Sequence, residues 1–163
     1  MKKHLFFVCP TDYLEPVIND YFNRENYYYT SLGNSIVFDY NTIYEIENLI
    51  TKHDIREVSF VLSNDNSVIF DALGNQNFSE ISGLDNLYCE VVKQKKRLET
   101  SWQIYNHQYL MLSYFLNKKV KELQFKLSDL LMDKIKISGK IYNSQEKVFT
   151  GIYFDLMKSE YLN

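Results

Sequence analysis

Residues Val58 to Phe70 read VSFVLSNDNSVIF: a mainly apolar run, five polar residues from Ser63 to Ser67, then a second apolar run. An apolar segment of strand length without strict alternation predicts a strand covered on both faces, as in a parallel sheet packed between helices. The residues just before it agree. Thr42 and Glu45 form a capping box, and Ile43, Ile46, Leu49 and Ile50 recur at helical spacing in a helix that ends by Asp54. A helix feeding Glu57–Leu62 as a buried strand is half of a βαβ unit.

Working back toward the N-terminus, the other half appears. Tyr27, Tyr28, Tyr29 and Thr30 favour a strand, with Gly33-Asn34 as the left-handed turn after it. Leu5 to Val8 is another apolar strand, bounded by Lys3 and Pro10. Asp12 with Glu15 reads as a capping box for a helix carrying Leu14, Val17, Ile18, Tyr21 and Phe22 on one face, with Pro16 still in its first turn. Strand, helix, strand, turn, helix, strand predicts a parallel sheet with right-handed crossovers. Ligands in such sheets sit beyond the carboxyl ends of the strands. Cys9–Asp12, Ser31–Asn34 and Ser63–Ser67 therefore share one rim.

Beyond Phe70, Gly74, Gly83 and several Asn residues mark Asp71–Leu87 as a loop with a short strand or turn of helix. Tyr88–His107 reads as a weakly patterned helix. Tyr109–Leu131 is a clearer one, its stripe of Leu112, Leu116, Val120, Leu123, Leu127 and Leu131 meaning packing. The C-terminal segment carries Ile135, Ile137, Ile141 and Tyr142, a polar turn over Asn143–Glu146, and Val148, Phe149, Ile152 and Tyr153, which is a β-hairpin. The expected architecture is one α/β domain spanning 1–163, with a mainly parallel sheet of about four strands and a C-terminal hairpin.

Composition narrows the function classes. A net charge of −3 argues against nucleic acid, and the basic run Lys93-Gln94-Lys95-Lys96-Arg97 reads as the solvated face of a helix. No stretch approaches the roughly 18 apolar residues that span a membrane. The start MKKHLFFVCP has too short an apolar run for a signal peptide and no small-residue cleavage site after it, and two cysteines make no disulfide framework. A cytoplasmic protein is expected. Aromatics make up 16% of the chain and 14 residues are Tyr, more than one core needs, which points to an extended interface and a homo-oligomer.

With the rim segments in order, the chain resembles a β-class carbonic anhydrase reduced to its central domain. That family ends its first strand in Cys-x-Asp-x-Arg, its second in an Arg-Asn-x-Gly-Asn-like turn and its third in Gly-His-x-x-Cys-Gly, with a later long helix and a hairpin. The corresponding pieces here are FFVCPTDY, YYYTSLGNSI, VLSNDNSVI and ISGKIYNSQEKVFTG. The helices that usually precede the first strand have no counterpart. The resemblance implies a zinc held by the first-strand Cys and the third-strand His and Cys. Cys9 matches the first ligand, Ser63 stands at the His and Asn66 at the second Cys. Neither a neutral hydroxyl nor an amide is a donor that zinc favours. The catalytic Asp falls on Thr11, with Asp12 one place late, its Arg on Tyr13, and the second-strand Arg on Thr30.

The expected function is a zinc-free carbonic-anhydrase-like pseudoenzyme, a binding or regulatory homodimer without hydratase activity or any cofactor. Its relic pocket of Cys9, Thr11, Asp12, Asn34, Ser63, Asp65 and Asn66 would take a small polar ligand, or the surface a protein partner. Two alternatives stand beside it: a divergent hydratase or hydrolase with a metal site rebuilt around Cys9, and a purely structural interaction protein. The residues also have plain structural roles. Cys9 serves as a small buried hydrophobe, Asp12 as a helix cap and Asp65 as a turn former. His4, His53 and His107 occur singly, without ligand spacing.

Overall fold

The computed structural model describes residues 1–99 and 107–152. Strands β1 (Lys3–Val8), β2 (Glu25–Thr30), β3 (Glu57–Ser63), β4 (Lys136–Asn143) and β5 (Val148–Gly151) form one sheet in the order β2-β1-β3-β4-β5. The first four are mutually parallel, and β5 returns antiparallel to β4 as the hairpin. Four parallel strands and a C-terminal hairpin are the expected architecture, with β4 serving as both the fourth parallel strand and the first arm of the hairpin. Tyr153 lies outside the described residues, as does the expected helix over 100–106.

The helices are α1 (Glu15–Tyr21), α2 (Tyr40–His53), α3 (Ser67–Leu73), α4 (Asp85–Glu99), α5 (His107–Lys126) and α6 (Asp129–Met132). No described helix is long and apolar enough to cross a membrane. On one sheet face, Leu5, Phe7, Val58, Phe60, Leu62, Ile137 and Ile141 pack with α2, α3, α4 and α5 in the main core. Phe7 and Phe60 stack at 4.5 Å between ring centres. Gly139 on β4 faces α5, where an added Cβ would stand 2.8 Å from Ile152 and 3.3 Å from Leu116. Lys93, Lys95 and Lys96 are exposed on α4, as expected of the basic run, whereas Gln94 within it is buried.

The other face has a thinner cover. Phe6, Val8 and Val61 pack with Leu14, Ile18 and Tyr142 around α1, with half-buried Phe22, Tyr28 and Phe149 at the margin. A buried polar chain crosses this face from β1 through β3 to β4. His4 Nε2 lies 2.9 Å from Ser59 Oγ, which lies 2.9 Å from Ser138 Oγ. The His4 ring stacks on Phe6 at 3.9 Å. Burial pushes the His4 pKa down to about 4, aided by Arg24 and Lys140 and opposed by Glu57.

Two expected caps are placed differently. Helix α2 begins earlier than the Thr42–Glu45 box implies, because the Asp39 carboxylate accepts the Thr42 N–H at 2.8 Å and captures the first turn. Helix α1 is not capped by Asp12: its N-cap residue is Leu14, and Asp12 ends a short 3-10 turn, Pro10–Asp12, ahead of it. Two further differences concern extent. The segment from Asp71 onward starts inside α3, and the Tyr109–Leu131 helix breaks after Lys126 before the short α6.

Candidate functional site

Four parallel strands deliver their carboxyl ends to one side of the molecule. Cys9 leaves β1 there, 1% exposed. Its Sγ accepts the Gly33 N–H at 3.1 Å and lies 3.0 Å from Thr11 Oγ1. Gly33 turns with φ of 60° and Asn34 follows with φ of 55°, the left-handed turn expected after β2. This close approach needs glycine, since a Cβ at Gly33 would meet Leu87 Cδ2 at 2.7 Å. Asn34 is fully buried and donates from Nδ2 to the Val61 carbonyl at 2.9 Å; its Oδ1 has no partner among the described residues.

Asp12 reaches across the rim. Its Oδ2 accepts the Ser63 backbone N–H at 2.9 Å and its Oδ1 accepts from Asn66 Nδ2 at 2.8 Å. Burial raises the Asp12 pKa to about 6, the nearby Asp65 carboxylate adding to the rise and the two hydrogen bonds opposing it. Asn66, 1% exposed, also caps α3 by accepting the Ile69 N–H at Oδ1, 2.9 Å away. The Ser63 hydroxyl donates to Asp65, which also accepts from Ser144 Oγ at 2.9 Å. These hydroxyls hold the Asp65 carboxyl below the usual carboxylate range, the Ser63 bond contributing most.

Of the seven expected residues, Asp12, Ser63, Asp65 and Asn66 form one hydrogen-bonded network. Cys9 and Thr11 form a second group with Gly33, and Asn34 is held by β3. A cleft of about 230 Å³ beside Cys9 is lined by Val8, Pro10, Tyr13, Leu14, Glu15 and Pro16, so none of the other six expected residues faces it. Sequence reasoning missed Ser144, and it placed Asn64 on the rim within Ser63–Ser67 without counting it among the pocket residues. Asn64 Oδ1 accepts the Ser144 N–H at 3.2 Å, and its Nδ2 donates to Gln145 Oε1 at 2.8 Å. The signal was topological: the turn after β4 joins the rim only because β4 pairs parallel to β3.

A zinc ion of the kind the resemblance implies does not fit the three corresponding positions. Cys9 offers a suitable sulfur, but Ser63 and Asn66 offer a neutral hydroxyl and a neutral amide. Both are already committed, the hydroxyl to Asp65 and both ends of the amide to Asp12 and the Ile69 N–H. Among the described residues, no group of three or more His, Cys, Asp and Glu side chains is placed to hold a metal ion. The two positions where the resemblance implies arginines, Tyr13 and Thr30, also carry other residues. Tyr13 stands 81% exposed at φ of 52°. Arg24 and Arg56 lie at the opposite end of the sheet, on Glu57 at 2.7 Å and Asp54 at 2.7 Å.

The arrangement of sheet, helices and rim is the β-carbonic-anhydrase fold. The chain is similar in structure to wild-type CafD, a β-carbonic anhydrase of Aspergillus fumigatus, with a TM-score of 0.71 at 14% identity over 94% of this chain and 90% of that one. One of two tetrameric β-carbonic anhydrases from Sordaria macrospora matches with a TM-score of 0.70 at 12% identity, over 92% and 80% of the two chains. The β-carbonic anhydrase CcaA matches at 0.72 and 13% identity, over 95% and 75%. No protein-family model matches the chain. No curated protein matches it.

Proposed function

We propose that this chain is a carbonic-anhydrase-like pseudoenzyme that works without catalytic zinc as a binding or regulatory homodimer. One observation carries the reading: the positions that correspond to two zinc ligands are a neutral hydroxyl and a neutral amide, both engaged in hydrogen bonds inside the protein. Without a metal to bring the pKa of bound water to about 7, hydration of CO2 at neutral pH has no hydroxide nucleophile.

The homodimer rests on surface chemistry. Tyr13, Tyr21, Tyr40 and Tyr44 stand 81%, 52%, 84% and 58% exposed in the single chain. Rings of this size with a polar tip favour interfaces that are apolar at one end and wet at the other. The Sordaria enzymes are described as tetrameric, which supports association through this fold. A small ligand would be held in the cleft beside Cys9, whose lining takes in none of the other six expected pocket residues.

A second reading is favoured by the filled rim: an interaction protein whose rim takes no ligand and whose surface alone matters. A stopped-flow CO2 hydration assay with added zinc, beside sedimentation equilibrium, tests the first reading. Hydration at the buffer rate and a dimer mass support it. A chelator-sensitive acceleration overturns the loss of activity, and a monomer mass overturns the dimer.

A further inference from the structure

We propose that the Ser63 backbone N–H and the Asn66 side-chain amide form a carboxylate cradle at the rim, which Asp12 fills from within the chain. This rests on the metal-free reading of the rim. It goes further by assigning the tie between the ends of β1 and β3 to a carboxylate, and by naming the ligand class that the cradle takes.

Both donors are fixed before the carboxylate arrives. The Asn66 amide cannot flip, since its Oδ1 accepts the Ile69 N–H at 2.9 Å, and so Nδ2 must face Asp12. The Ser63 N–H belongs to the last residue of β3, held in register with Tyr142 of β4. Each donor meets a separate oxygen of one planar group, at 2.9 and 2.8 Å. That two-point geometry suits a carboxylate and wastes neither lone-pair direction.

The surroundings set the class of ligand. Both donors are neutral, and the Asp65 carboxylate lies near enough to raise the Asp12 pKa. The cradle therefore suits a compact monoanion, a carboxylate of formate or acetate size, and disfavours groups of higher charge such as phosphate. The donors lie 51 and 54 residues along the chain from Asp12, so the contact closes a long loop and ties two strand ends together. An outside carboxylate enters only when the Asp12 side chain leaves or is removed.

Chemical rescue tests this. At pH 7, where the cost of ionising buried Asp12 offsets part of its two bonds, Asp12→Ala is expected to melt about 2–5 °C below the natural protein, because the Ser63 N–H and the Asn66 amide are left unpaired. Sodium formate at ~100 mM should then raise its midpoint by about 3–5 °C more than equal sodium chloride does, and should leave the natural protein unmoved. Adding Asn66→Ala should abolish the formate effect. If Asp12→Ala fails to fold, Asp12→Asn sets an amide donor against one cradle donor whichever way it turns, and its midpoint should fall by about 2–4 °C. An Asp12→Ala midpoint within about 1 °C of the natural protein, a response to chloride equal to that to formate, or an Asp12→Asn midpoint within about 1 °C of the natural protein overturns the proposal. Metal content of the same samples separates the two readings. One zinc per chain, lost in Cys9→Ser, sinks the metal-free function, whereas metal-free protein indifferent to formate sinks the cradle alone.

Discussion

Asn66 donates its side-chain amide to Asp12 at 2.8 Å, joining residues 54 apart in sequence at the carboxyl ends of β3 and β1. A residue that stands where the fold's enzymes are expected to carry a metal-binding cysteine is here a hydrogen-bond donor and a helix cap. The chemistry of the rim follows from that exchange.

The rim carboxylate and the buried histidine titrate in opposite senses. The Asp12 pKa is raised from 3.8 to about 6, so its contribution to stability is fully present below 3.8 and is lost as pH rises through about 6. The His4 pKa is lowered from 6.5 to about 4, so its contribution is fully present above 6.5 and is lost as pH falls through about 4. Urea unfolding of the natural protein between pH 5 and 6, above the range where carboxylates with lowered pKa values such as Glu57, Asp65, Asp71 and Glu90 lose their stabilisation, should therefore show a shallow dependence. Asp12→Asn should unmask a loss of stability on acidification that begins near pH 6.5. The same slope in both proteins would remove Asp12 from the balance.

Gly33 combines a left-handed backbone with contact between its amide and the Cys9 sulfur. Gly33→Ala is expected to cost about 1–3 kcal/mol, from the positive φ and from the clash with Leu87. Urea midpoints measure it, and a cost below about 0.5 kcal/mol would show that the turn relaxes.

Asp39 is the working cap of α2. Asp39→Ala should lower the thermal midpoint by about 2–4 °C. Thr42→Ala, which keeps the backbone N–H that Asp39 uses, should lower it by less. The reverse order would restore the capping box read from Thr42 and Glu45.

Much of the fold was legible because it is encoded locally. Apolar runs at Leu5–Val8 and Val58–Leu62 and the helical stripe through Ile43, Ile46 and Ile50 each declare their element within a few residues. The rim residues could be named from topology, since parallel strands must end on one side. Their contacts could not. Asp12 and Glu15 carry a capping pattern, but the carboxylate finds Ser63 and Asn66, partners that exist only once β1 and β3 are paired. Asn66 likewise stands in a polar run with no helix expected directly after it until it is seen to cap α3, and Ser144 has no signal before β4 is placed beside β3.

A pseudoenzyme of the proposed kind has a rim built without a metal. The decisive experiment is metal per chain, measured by mass spectrometry on protein purified without chelator and beside a Cys9→Ser control. Zinc is expected far below one per chain, equal in both proteins. About one zinc per chain, lost when Cys9 is replaced, would contradict it.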